Sequence, residues 1–190
     1  MVERRDLPLF RWGEELRAAR AKRHRLHRRA ACVAAGIAAL GATIVAPPAP
    51  RLLWNVTPSA PVGLYVVTPA AEFRVGQIVV AHLPPAARGL AASRHYLPLG
   101  VPLVKRVAAG PGDRICGHGL TVTINGRMAA TRLQADRAGR ALPAWQGCRN
   151  LGVGTYLLIM TDRPDSFDGR YFGTTAASDI IGRAHLLWAR

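Results

Sequence analysis

From residue 55 onward the chain reads as short apolar runs cut by glycine or proline. These are GLYVV at 63–67, GQIVVAHL at 76–83, PLVKRVA at 102–108, GLTVTINGRM at 119–128, GTYLLIM at 154–160 and IIGRAHLLW at 180–188. Runs this short, rich in Val, Ile, Leu and Tyr, are strands bounded by turns. Within TVTINGRMAA the flanks alternate around Asn125-Gly126, a pair that accepts the positive φ of a type I′ turn, so a hairpin is predicted there. No helical period is sustained over a comparable length. The expected fold is mainly β, a barrel or folded sheet, with loops at 84–100 and 132–150, where Pro, Gly and Arg accumulate.

The first fifty residues follow a different pattern. Residues 30–50, AACVAAGIAALGATIVAPPAP, carry no charge, and the first seventeen lack proline. Seventeen helical residues reach roughly 25 Å, just enough to span a bilayer core with help from flanking residues. Three readings compete: a retained anchor, a cleaved signal peptide, and a buried soluble helix. The 29-residue basic region ahead of the segment is longer than a signal peptide carries, so a retained transmembrane helix preceding the β domain is the expectation. It divides the chain into a basic cytoplasmic tail (1–29), an anchor (30–46), a linker (47–58) and an outer domain (59–190).

Charge alters the picture only once it is located. The formal net charge is +15, but residues 1–29 hold ten Lys/Arg against four acids. Only Arg51 follows the apolar segment closely, so the positive-inside rule keeps the N-terminus cytoplasmic and puts the outer domain in the periplasm, with inner-membrane lipid as a partner. Topology accounts for the basic tail, and no nucleic-acid partner is expected. Cys32 falls within the apolar segment, leaving Cys116 and Cys148 outside. Two cysteines in an oxidising compartment most often pair. The rival is a metal site with His118, for which no fourth ligand at a recognisable spacing is visible, so neither metal nor cofactor is expected.

Two scarcities point to chemistry. Of 26 Lys and Arg residues only Lys22 and Lys105 are lysine, and serine occurs only at 59, 93, 166 and 178. Lys105 ends the apolar run 101–104, a strand position suited to partial burial. Burial can neutralise a lysine amine but not a guanidinium, which makes a general base available; the plainer alternative is an exposed strand lysine left over from codon bias. Ser59 lies between Pro58 and Pro61, which restrict the backbone and would aim its hydroxyl, and Thr57 could supply a further donor to an oxyanion. A structural turn is the alternative. In TDRPDSFDGRYFG, residues 161–173, Asp168 and Arg170 suit an ion pair folded over an apolar floor, one that braces a site; a solvated charged loop is the alternative.

Together these blocks resemble the type I signal peptidase (leader peptidase) family of Ser/Lys endopeptidases, and most closely its conjugal-transfer branch of pilin-maturation peptidases. NVTPSAPVGLY (55–65) resembles the nucleophile block and PLVKRVAAGPGD (102–113) the base block, while SFDGRYFG and DIIGRAHLLW resemble the last. The resemblance implies Ser59 as nucleophile, Lys105 as general base, and Thr57 with the Ser59 N–H as the oxyanion hole. It further implies Ser166 as the hydrogen-bond partner of the lysine amine, and Asp168 with Arg170 as a supporting ion pair. Substrates would be membrane-bound precursor polypeptides, pilins of a conjugative type IV secretion system, cut after small residues and in some relatives cyclised. Ala60-Pro61 after the serine, and Met160-Thr161-Asp162-Arg163 in place of Gly-Asp-Asn-Arg, depart from housekeeping signal peptidases. A general signal peptidase and a non-catalytic scaffold are the alternatives.

Overall fold

The computed structural model describes residues 8–46 and 51–190. It divides into two compact units, Met1–Ala49 and Pro50–Arg190.

Among its described residues the first unit is a single helix, α1 (Pro8–Val45). The basic and apolar stretches are one continuous rod of about 57 Å at 1.5 Å per residue, so no break separates tail from anchor among the described residues. Residues 12–45 form a helix long and apolar enough to cross a membrane. The outward side chains Val33, Ile37, Leu40 and Ile44 are all more than 60 % exposed. Such a surface is stable in lipid, where a helix satisfies its own backbone polar groups.

The second unit is mainly β. Its strands are β1 (Leu52–Asn55), β2 (Gly63–Thr68), β3 (Ile78–Ala81), β4 (Leu103–Ala109), β5 (Arg114–His118), β6 (Thr121–Ile124), β7 (Arg127–Thr131), β8 (Gly147–Asn150), β9 (Thr155–Leu158), β10 (Thr174–Ala176) and β11 (Ile180–Ala189). They form a seven-stranded sheet in the order β1-β2-β11-β3-β4-β9-β10 and a four-stranded sheet in the order β7-β6-β5-β8. Every pairing is antiparallel.

The hairpin predicted at Asn125-Gly126 forms: Ile124 pairs with Arg127, and the two turn residues have φ of 50° and 78°. Asparagine and glycine are the residues that adopt such angles at least cost.

Three expectations need correcting. The stretch 132–150, expected as a loop, ends in β8, which pairs with β5 from Gly147↔Gly117 to Asn150↔Arg114. The stretch 84–100 holds a helix, α2 (Pro85–Ser93); its Ala-rich sequence with proline in the first turn favours helix once Ala87 and Ala91 have a core to face. The stretch 47–58, expected as a linker, lies outside the described residues at 47–50, and at 52–55 it is β1, paired with β2 from Leu52↔Val66 to Asn55↔Gly63. A short strand with no alternation of its own takes its order from the edge it joins. Thr57 and Ser59 therefore sit in a seven-residue hairpin connection, 56–62, belonging to the β domain.

Three apolar clusters fill the unit. One gathers Val79, Leu103, Val107, Tyr156 and Leu158. A second joins Ala60, Tyr65, Val80, Val104 and Met160. The third holds Ala109, Ile115, Val122 and Leu157 between the two sheets.

Candidate active site

The hairpin connection carrying Ser59 contains Pro58 and Pro61, which offer no N–H, so its carbonyls need donors from elsewhere. Asn55, at the end of β1 and 5 % exposed, supplies them. Its Nδ2 donates to the carbonyls of Thr57 (2.9 Å), Ala60 (3.2 Å) and Pro61 (3.1 Å). Its Oδ1 accepts from the Thr57 N–H (3.1 Å) and the Thr57 hydroxyl (2.8 Å). The Tyr65 hydroxyl donates to the Pro61 carbonyl from below (2.8 Å). Thr57 Oγ1 lies 3.2 Å from Ser59 Oγ. Because the Thr57 proton is directed at Asn55, Ser59 donates in this pair. Sequence reading missed Asn55; the available signal was an amide side chain directly ahead of a proline-rich turn.

Lys105 lies in β4 and is 3 % exposed. Leu103 and Val107, its neighbours two positions away on the same strand face, belong to the first cluster, and Val79 pairs across from it. Its Nζ donates to Ser166 Oγ at 2.7 Å. Burial lowers the amine from its ordinary range to about 8; Asp168 and Asp165 oppose this, and the Arg170 cation reinforces it. The dominant cause is desolvation, which penalises the ammonium.

Asp168 and Arg170 form a buried, doubly hydrogen-bonded pair. Asp168 Oδ1 accepts from Arg170 Nε (2.8 Å), and Oδ2 from Arg170 Nη2 (3.0 Å). Asp168 also accepts from the Met160 N–H (3.0 Å) and the Arg170 N–H (3.1 Å), the latter as the cap of the short helix α3 (Gly169–Phe172). The guanidinium then donates to the carbonyls of Met160 (2.7 Å), Arg163 (3.1 Å) and Pro164 (3.0 Å). A buried ion pair is tolerated when its remaining hydrogen-bonding capacity is satisfied in this way. The pair pins both ends of the segment 160–168 that presents Ser166. Gly169 is required for this packing: a Cβ there would lie 2.8 Å from the Leu158 carbonyl oxygen.

The two halves converge. Ala60, the successor of Ser59, and Val104, the predecessor of Lys105, share the second cluster with Met160, whose backbone the ion pair holds. β4 is paired with β9 only from Arg106 onward, where the Ile159 N–H donates to the Arg106 carbonyl (3.0 Å) and Val107 faces Leu158. Among the described residues, the Lys105 end of β4 thus keeps a free strand edge on that side. Through Ala60 and Val104 the Ser59 turn and the Lys105 strand border one cluster; among the described residues the amine is hydrogen-bonded to Ser166 and the Ser59 hydroxyl to Thr57, with no hydrogen bond between Lys105 and Ser59.

Cys116 and Cys148, in register on β5 and β8, are joined by a disulfide of 2.07 Å. His118 Nε2 is 3.7 Å from Cys148 Sγ. Both sulfurs are bonded to each other, so this trio offers no free thiolate to a metal.

Residues 25–189 match the family model described as signal peptidase, peptidase S26. Two plasmid transfer proteins TraF of Escherichia coli are 38 % identical over 82 residues and 37 % identical over 81, stretches covering 42 % and 41 % of this chain. Each stretch covers 46 % of the relative, so the chain spans about half the length of the curated relatives it matches. A signal peptidase I from Enterococcus faecalis, 20 % identical, matches over 59 % of this chain and 96 % of its own with a TM-score of 0.35. That match is too loose to bear on the site.

Proposed function

The chain belongs to the signal peptidase S26 family, and on that premise we propose that it is a serine endopeptidase in which Ser59 is the nucleophile and Lys105 the general base. The observation that carries the proposal is a lysine amine, 3 % exposed and held at about 8, bonded to a serine hydroxyl rather than a carboxylate. A lysine kept only for charge would gain nothing from such burial, whereas a base working near neutral pH requires it.

The Ser59 hydroxyl proton passes to the neutral Lys105 amine as Oγ bonds to the scissile carbonyl carbon. The oxyanion is met by the Ser59 N–H and by Thr57, whose hydroxyl exchanges its bond to Asn55 for one to the new charge. The tetrahedral adduct collapses, the C–N bond breaks, and the Lys105 ammonium returns its proton to the departing amine. Water or an amine then resolves the ester, giving hydrolysis or head-to-tail joining. The free edge of β4 supports docking of the precursor as an extended strand.

The substrate class is a membrane-bound precursor, a pilin of a conjugative secretion system; the two TraF relatives favour this over bulk secretion. Location beside the inner membrane, with the N-terminus cytoplasmic and the β domain periplasmic, is supported by the basic half of α1, its apolar half, and exposed Trp54 and Trp188. Their rings stand 5.7 Å apart. Paired exposed indoles suit a lipid interface.

The test is co-expression of a pilin precursor with the wild type, Ser59→Ala or Lys105→Ala. Both variants should leave the precursor uncut by mass spectrometry, and cleavage by either would remove this mechanism. Rescue of bulk secretion in cells depleted of their own leader peptidase would favour the general signal peptidase instead.

A further inference from the structure

Ser166 holds the Lys105 amine, and its successor Phe167 is clasped by aromatic rings. The Phe167 centroid lies 5.0 Å from Tyr96 and 5.7 Å from each of Tyr171 and Phe172, stacked on Tyr171 at 9°. Tyr171 and Phe172 follow in α3. Tyr96 does not: it comes from the connection between α2 and β4, seventy-one positions earlier in the chain.

Tyr96 is fixed from a third segment. Its hydroxyl donates to the carboxylate of Asp136. Arg140 Nε donates to the same carboxylate at 2.7 Å, and its guanidinium stands 5.7 Å from the Tyr96 ring centroid. Arg140 also donates to the Arg94 carbonyl (3.3 Å), and Arg94 returns a bond to the Ala141 carbonyl (2.8 Å). The Asp136 side chain is only 8 % exposed. Its carboxyl is held well below the usual range, first by Tyr96 and then by Arg140, so the clasp stays ionised at any working pH. Tyr96 and Phe167 both pack against the cluster containing Leu103 and Val107, the residues flanking Lys105 on its own strand face.

We propose that Tyr96, anchored by Asp136 and Arg140, is a positioning residue: through Phe167 it sets the orientation of Ser166 and closes the apolar cover over Lys105. This rests on the reading of Lys105 as the base. Neither the ion pair of Asp168 and Arg170 nor the Ser59 turn supplies the ring contact, which reaches Ser166 from outside its own loop.

Two lysines in 190 residues make the test direct. In a Lys22→Arg background, lysine carrying carbon-13 at Cε reports Lys105 alone, and its titration in the detergent-solubilised full chain needs no substrate. The charges facing the amine, Asp165, Asp168 and Arg170, stay in place throughout. Tyr96→Ala should raise the Lys105 midpoint by about one pH unit, and Tyr96→Phe and Asp136→Asn by about half a unit, as water regains the amine. Removing the Asp136 charge would by itself lower the midpoint, so an upward shift identifies the opened cover. Midpoints unchanged or lowered in Tyr96→Phe and Asp136→Asn, which keep the ring, overturn the proposal even if Tyr96→Ala does not fold. A midpoint near 10.5 in the Lys22→Arg parent would instead overturn the reading of Lys105 as a buried base.

Discussion

The Lys105 amine donates a 2.7 Å hydrogen bond to the hydroxyl of Ser166, sixty-one positions later in the chain. Both groups are buried, at 3 % exposure each. An amine so placed loses its proton far more readily than one in water, and the pH behaviour of the protein follows from it.

Activity should depend on the neutral amine. With Lys105 at about 8, the rate of cleavage at low substrate concentration should rise with pH, reach half its maximum near pH 8, and fall about tenfold per unit below that. Lys105→Arg, protonated throughout, should stay inactive across the range. A pH profile of precursor cleavage checks both.

Stability should also rise with pH. The unfolded lysine titrates near 10.5 and the folded one near 8, so between these values the unfolded chain binds the extra proton and stability rises with pH. Below pH 8 the full penalty applies, about 3 kcal/mol. Lys105→Met should therefore be more stable than the wild type at pH 7 by about 1–2 kcal/mol after loss of the Ser166 bond, and the advantage should vanish above pH 10.5. Thermal denaturation at the two pH values measures it.

Breaking the buried ion pair from one side should cost more than removing it whole. Asp168→Ala or Arg170→Ala leaves a charge and several hydrogen-bonding groups without partners, at about 3–5 kcal/mol. The double variant Asp168→Ala/Arg170→Ala should lose less than the sum of the two single changes. A double-mutant cycle in urea unfolding decides this.

Asn55→Ala strips donors from three carbonyls of the Ser59 turn. The expected destabilisation is about 1–3 kcal/mol, with a fall in kcat of at least about tenfold as the hydroxyl loses its direction. Thr57→Val should lower kcat by about 10²-fold while barely changing stability. Comparing kcat with the denaturation midpoint separates the two roles.

Alkylation of the denatured chain should label one thiol, Cys32, without reductant, and three after reduction. Equal labelling in both states would remove the disulfide.

Much of this protein was legible in its sequence because the signals were local. Alternating apolar runs, the Asn125-Gly126 turn, an uncharged helix-length stretch and a serine between prolines each act through their nearest neighbours. The ordered blocks around Ser59, Lys105 and Asp168 also allowed the family to be named. Other features depended on segments brought together from a distance. β1 became a strand because β2 offers an edge, and α2 helical because its alanines face a core. Asn55 came to serve the turn because prolines left carbonyls without donors, and Tyr96 came to lie on Phe167 through Asp136. Most decisive is the state of the Lys105 amine. The sequence determined that a lysine would stand in a strand. Only the tertiary structure, by covering both faces of β4 with residues distant in the chain, excluded the water that would have held its proton affinity at the ordinary value.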